Sequence, residues 1–240
     1  MRPSSPVFAA AVLAVFAAAA QQPRKPDIEA VERAILAATN ALRAEKQLPA
    51  LKLDPRLERA AETFAKYMAS RDEYAHDADG RTPTQRARAA GYKDCMVAEN
   101  IAYQMRTRGF ETAELAQKFA TGWENSPGHR RNMLDPEAVE IGIAVAYSEE
   151  TSRYYGVQLF GRPESMRVTF EVRNESRQDL RYKVGGQDYT LQARTERRHH
   201  VCGDIRVVFE RRGGEKASRP GHGDRYVITP AGNVEHVPRG

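Results

Sequence analysis

"EIGIAVAY", residues 140–147, decides the fold class. Ile141, Ile143, Val145 and Tyr147 recur at every second position, the period of a strand with one buried face. A polar turn, "SEETS" at 148–152, leads into a second apolar run, "RYYGVQLF" at 153–160. The two runs read as a β-hairpin. Upstream of them the rhythm is different.

In "DIEAVERAILAATNALRAEKQ", residues 27–47, Ile28, Val31, Ile35, Ala38 and Leu42 are spaced three and four apart. That is one stripe of an amphipathic helix, with Asp27 as its cap. "LPALKL" at 48–53 breaks the stripe, and Asp54-Pro55 starts a second helix that buries Leu57, Ala61, Phe64 and Met68. Thr82-Pro83 opens a short third helix, stopped by Gly91. A fourth runs from about Glu111 to Asn125, with Leu115, Phe119 and Trp123 one turn apart, and Ser126-Pro127-Gly128 ends it. Helices first and strands later predict an α+β fold, with helices covering a sheet.

After Gly161 no helical stripe remains. Short alternating segments such as "RVTFEVRN", "LRYKVGG" and "RYVITP" are separated by turn residues, which predicts a small all-β module, a sandwich or a barrel. The expected division is therefore 21–161 for the first domain and 162–240 for the second. The tail holds 16 Lys and Arg against 11 Asp and Glu, so it carries the whole formal charge of +5. Its arginines are scattered over alternating strands and match no nucleic-acid-binding motif. They read as a solvated face, with a weak anionic-glycan surface as the alternative and no nucleic acid as partner. His199 and His200 are expected at the surface.

The N-terminus carries Arg2, an apolar run at 7–20 and an Ala-x-Ala site at Ala18 and Ala20. That run is too short to span a bilayer and reads as a signal peptide, residues 1–20. The expectation is a secreted or periplasmic monomer with no integral membrane span after cleavage. Export makes Cys95 and Cys202 eligible for oxidation, either as one bridge between the two halves or as two small buried side chains.

Three stretches hold the groups that carry chemistry: "YAHDADG" with His76, "VAENIAY" with Glu99, and "NSPGHRRN" with His129. Two imidazoles and a carboxylate suit a divalent metal such as zinc, or acid–base work. Spacing alone does not bring them together, and a loop histidine also serves as a capping group. There is no Gly-x-Ser-x-Gly elbow or phosphate-binding Gly-rich loop, and "DADG" lacks the later ligands of a calcium loop.

"HDADGRTPTQRARAAGY", "AENIAY", "GWENSPGHRRNML", "EIGIAVAY" and "YYGVQLFG", in that order, resemble the bacterial branch of the CAP superfamily of cysteine-rich secretory, antigen 5 and pathogenesis-related proteins. The resemblance begins near Ile28 and ends at Gly161. It implies an α–β–α sandwich with a central cleft that gathers two histidines and two acids, in some members around zinc. His76, Glu99 and His129 take three of those positions as candidate cleft and metal residues, with Glu99 the candidate catalytic group. The fourth is in doubt: Ser126 stands where eukaryotic relatives have an acid, and Glu124 points to another helix face. Asn100, Trp123, Ser126, Arg130 and Asn132 are the expected structural supports, with Trp123 in the core, Asn100 bracing Glu99, and Arg130 and Asn132 locking the His129 loop. The family is linked to lipid and sterol binding, defence and extracellular signalling. The implied function is a secreted binding protein whose cleft holds a divalent metal or a small lipid, glycan or cell-surface ligand. The competing one is a metal-assisted hydrolase of peptides or cell-wall material.

Overall fold

The structure is a computed structural model that describes residues 25–211 and 214–239. The expected signal peptide lies outside the described residues. Helix α1 (Ile28–Glu45) starts where Asp27 accepts the Ala30 N–H, and it buries Val31, Ile35 and Leu42. Strand β1 (Lys52–Leu53) follows, and the Asp54 carboxylate then caps helix α2 (Pro55–Arg71) by accepting from Arg56 and Leu57. Leu57, Ala61, Phe64 and Met68 are fully buried on α2. Each large apolar side chain among them contributes about 1.5–3 kcal/mol. Helix α3 (Pro83–Ala89) opens with a capping box between Thr82 and Gln85.

Strand β2 (Asp94–Met105) precedes helix α4 (Thr112–Asn125), a short helix α5 (Pro127–Met133), and the hairpin of β3 (Glu140–Ser148) with β4 (Arg153–Pro163). The sheet order is β1-β3-β4-β2. Strand β1 runs parallel to β3, while β4 pairs antiparallel with both β3 and β2. One face of this sheet packs on α2 and α3 around Phe64, Tyr155 and Val157. The other packs on α1 and α4 around Ile35, Phe119, Trp123 and Ile141. Helices on both faces of one sheet make the expected α–β–α sandwich. The close fit of α2 on the sheet requires Gly142, where a Cβ would fall 2.1 Å from the Leu57 carbonyl carbon.

The tail is a sandwich of two four-stranded sheets. One has the order β12-β11-β5-β8 and joins β5 (Val168–Asn174), β8 (Glu196–Val201), β11 (Arg225–Ile228) and β12 (Val234–Val237). The other has the order β10-β9-β6-β7 and joins β6 (Leu180–Val184), β7 (Gln187–Leu191), β9 (Val207–Arg211) and β10 (Gly214–Ser218). Their inward residues share one core, which includes Phe170, Val172, Tyr182, Phe209 and Tyr226.

His199 corrects the surface expectation. It alternates inward on β8, stacks on Phe170 at 5.0 Å and bonds the Tyr182 hydroxyl at 2.8 Å, while its neighbour His200 is exposed. Burial pushes its pKa down to about 4. Of the two cysteine alternatives the bridge holds. Cys95 on β2 is bonded to Cys202, with 5.7 Å between Cα atoms, and this ties the sandwich to the first domain. Glu137 adds to the junction by accepting the Asp204 N–H and pairing with Arg162.

Candidate functional site

Glu99 sits near the middle of β2, the edge strand of the sheet, opposite Leu159 of β4. Its side chain is 1% exposed, and a buried carboxylate needs partners. It has two. Arg86 of α3 donates to Oε2 at 2.6 Å, and His76, in the turn after α2, meets Oε1 through Nδ1 at 2.8 Å.

Arg86 is itself buried; both terminal nitrogens are engaged, while Nε is buried without a hydrogen-bond partner among the described residues. It also bonds the His76 carbonyl, the Arg81 carbonyl and Asp79, and its guanidinium lies 3.5 Å from the Phe64 ring centroid. One arginine thus fixes both the carboxylate and the backbone of the histidine that faces it. Facing a carboxylate, Nδ1 of His76 carries the proton, so Nε2 is the acceptor of the neutral ring. The His76 side chain is 54% exposed.

The opposite border of β2 is built by α5. Ser126 separates α4 from α5, with Pro127 in the first turn of the new helix, so the chain restarts a helix where the sequence suggests only a stop. His129 therefore lies on α5 and not in an open turn. Asn132 donates to the Glu99 carbonyl at 3.1 Å and to Asn100 Oδ1 at 2.9 Å. Asn100 donates to the His129 carbonyl and to Gln158, which in turn bonds Thr39 of α1. This chain of amides holds α5 against the strand. Partial burial lowers the His129 pKa, and the nearby His76 adds to the shift.

The structure therefore brings His76 to Glu99 and sets His129 across the same strand. Asn100 and Asn132 brace the site, and Trp123 is fully buried in the α1–α4 core. Ser126 makes no capping bond with its side chain. Glu124 and Arg130 lie apart with Asn125, Pro127 and Arg131, around a shallow surface cavity of about 330 Å³. Among the described residues neither the Glu124 nor the Arg130 side chain hydrogen-bonds to His76, Glu99 or His129.

The expected metal set is not assembled either. Among the described residues no group of three or more His, Cys, Asp or Glu is placed to hold a metal ion. The geometry gives the reason: both Glu99 oxygens are taken, and ligation would pull the carboxylate from a buried arginine. The residues present do not fit a zinc or other divalent ion bound by His76, Glu99 and His129 together.

Arg86 and Asp79 were not singled out from the sequence. Both lie inside the "HDADGRTPTQRARAAGY" stretch, but nothing in the pattern marks an arginine as buried. Tyr74 and Tyr103 extend the site along β2. Tyr74 donates its hydroxyl to the Ile101 carbonyl, and its ring meets that of Tyr103 edge-on at 5.2 Å. Both rings are partly open to solvent, at 45% and 42%.

The model of the family described as CAP, Cysteine-rich secretory protein family, matches residues 36–160, just over half of the chain. The chain belongs to the CAP family. The matched residues span α1 to β4 and include His76, Glu99 and His129; the β-sandwich lies beyond them. Among its relatives is an uncharacterized protein, YkwD, of Bacillus subtilis, 29% identical over 122 residues. That alignment covers 50% of this chain and 44% of the relative, so the chain spans less than half of that protein's length. An extracellular SCP-domain protein from Bacillus anthracis is similar at 25% identity and a TM-score of 0.48, over 56% of this chain and 41% of that one. An outer surface protein from Borrelia burgdorferi is similar at 21% identity and a TM-score of 0.49, over 57% of this chain and 96% of that one. Among the described residues no helix is long and apolar enough to cross a membrane.

Proposed function

We propose that this CAP protein acts outside the cell as a binding protein, taking a small hydroxyl-rich ligand, a glycan or a lipid head group, beside β2. The observation that carries the reading is the His76–Glu99 contact at 2.8 Å, which turns the imidazole so that Nε2 faces outward as an acceptor. Tyr74 and Tyr103 supply ring surface next to it, and such amphipathic rings suit ligands that are apolar on one face and polar at the edge. His129 borders the cleft from α5. The description of the family as cysteine-rich secretory proteins supports the location.

The test is nuclear magnetic resonance of the full chain, with soluble oligosaccharides and lipid head groups added in turn. The reading expects His76, His129, Tyr74 and Tyr103 to shift together and His76→Ala to abolish the response. Shifts confined to other surfaces would overturn it.

A second reading is a hydrolase, favoured by the same contact, because a carboxylate that orients an imidazole is the acid–base half of a catalytic triad. In that reading His76 is the general base and Glu99 positions it. Release of product from casein or peptidoglycan, lost on His76→Ala, supports it; no release from either removes it.

A further inference from the structure

We propose that the β-sandwich carries a binding site of its own, a groove at one end of it that takes an anionic polysaccharide through Arg177 and Arg194. The loops β5–β6, β7–β8 and β11–β12 meet at that end, and two adjoining cavities of about 750 and 530 Å³ open there. Both volumes are typical of small-ligand sites. Arg194 and Pro230 line both cavities, so the two form one continuous groove. Under the larger cavity lie Leu180, Ile228 and Val234 of the sandwich core.

Charge selects the ligand. Three of the four acids along the groove stand within 4.0 Å of a cation, and Asp179 does not. Glu196 and Glu175 pair with Arg173, Asp179 accepts the Ala193 N–H, and Glu210 stands 4.0 Å from Lys183. Arg177 and Arg194 make no ion pair among the described residues. The charge in the groove without an ion pair is therefore two guanidinium groups against the single Asp179 carboxylate.

Arg194 also has a φ of 63°, a left-handed conformation that costs a residue with a Cβ about 1–2 kcal/mol. Glycine would fit the backbone there more easily, yet the position holds the residue that lines both cavities.

A guanidinium is a planar fork of donors that matches carboxylate or phosphate oxygens. A groove that crosses two cavities accommodates an extended chain better than a single ion. The tail carries the whole positive excess of the protein, which steers polyanions toward it. The shared chemistry is a carboxylate or a phosphate repeated along a polysaccharide. The groove lies outside the family-matched residues, and its use does not depend on the cleft at His76.

The experiment measures the affinity of the full chain for polygalacturonate and, separately, for poly(glycerol phosphate) at physiological salt. The expected result is binding to at least one polymer, the preferred one naming the anion. Arg177→Gln with Arg194→Gln should weaken it about tenfold or more. Arg181→Gln with Arg206→Gln removes the same charge from outside the groove and should change it by about twofold or less. An Arg194→Gly variant relieves the backbone, so it should melt no lower than the parent while still losing affinity. Equal losses in both double variants would show attraction by net charge alone and overturn the groove. Failure of both polymers to bind would overturn it as well.

Discussion

Arg86 and Glu99 form a buried ion pair at 2.6 Å, with side chains 3% and 1% exposed. Removing one partner strands the other charge out of water, which costs about 3–5 kcal/mol. Arg86→Gln should therefore lower the stability of the protein by an amount in that range. Arg86→Gln combined with Glu99→Gln should recover a large part of the loss, because the stranded carboxylate is gone. Denaturant unfolding of the two single variants and the double variant measures the coupling.

The fold was legible where burial follows a simple period. α1 and α2 each bury a regular stripe close to the one their spacing puts there. The β3–β4 hairpin forms where expected but is buried on both faces, because helices cover both sides of the sheet, and Tyr147 of its expected buried stripe is 38% exposed. β2 was not legible as a strand. It lies at the sheet edge and buries polar Glu99 and Asn100 in its middle, which interrupts the apolar alternation. For the same reason the motif residues could be named but not their partners. The need of Glu99 for Arg86 arises from burial, and burial of an arginine leaves no periodic trace. His199 shows the reverse case, a histidine taken for a surface residue whose inward register on β8 follows from its pairing with Phe170 on β5. His129 was misplaced because Ser-Pro-Gly reads as a terminator, although proline in a first turn also starts a helix.

Acid should destabilise the protein between about pH 6.5 and pH 4. His199 has a folded pKa of about 4 against an ordinary value of 6.5, because burial disfavours its charged form. In that interval the unfolded chain binds a proton that the folded chain refuses, so stability rises with pH up to about 6.5 and is lost as pH falls toward 4. His129, lowered for the same reason, adds to the slope at the upper end. The whole His199 contribution is of order 3 kcal/mol. His199→Phe should flatten this acid limb when unfolding free energies are measured across it, even if the plateau falls through loss of the Tyr182 contact.

The Cys95–Cys202 bridge closes a separation of 107 residues. On the chain-entropy account, closing a loop of that length stabilises the folded state by about 4–5 kcal/mol. Cys202→Ser should thus lower the melting temperature, and reductant should shift the parent while leaving the variant unchanged. Calorimetric scans with and without reductant check both halves of this expectation.

Gly142→Ala should be among the most damaging single changes in the first domain. The added methyl would meet the backbone of Leu57 and Glu58 at 2.1–2.4 Å, so α2 would have to leave the sheet. The expected outcome is loss of folded protein, visible as missing near-ultraviolet dichroism. A soluble variant with an unchanged melt would contradict the packing of α2 on β3.

Glu99 faces Nδ1 of the His76 ring, which leaves Nε2 as the free acceptor. Nitrogen-15 resonance of the labelled histidines, recorded above their titration range, measures this directly. Neutral His76 is expected to carry its proton on Nδ1. A His76 ring protonated predominantly on Nε2 would contradict it.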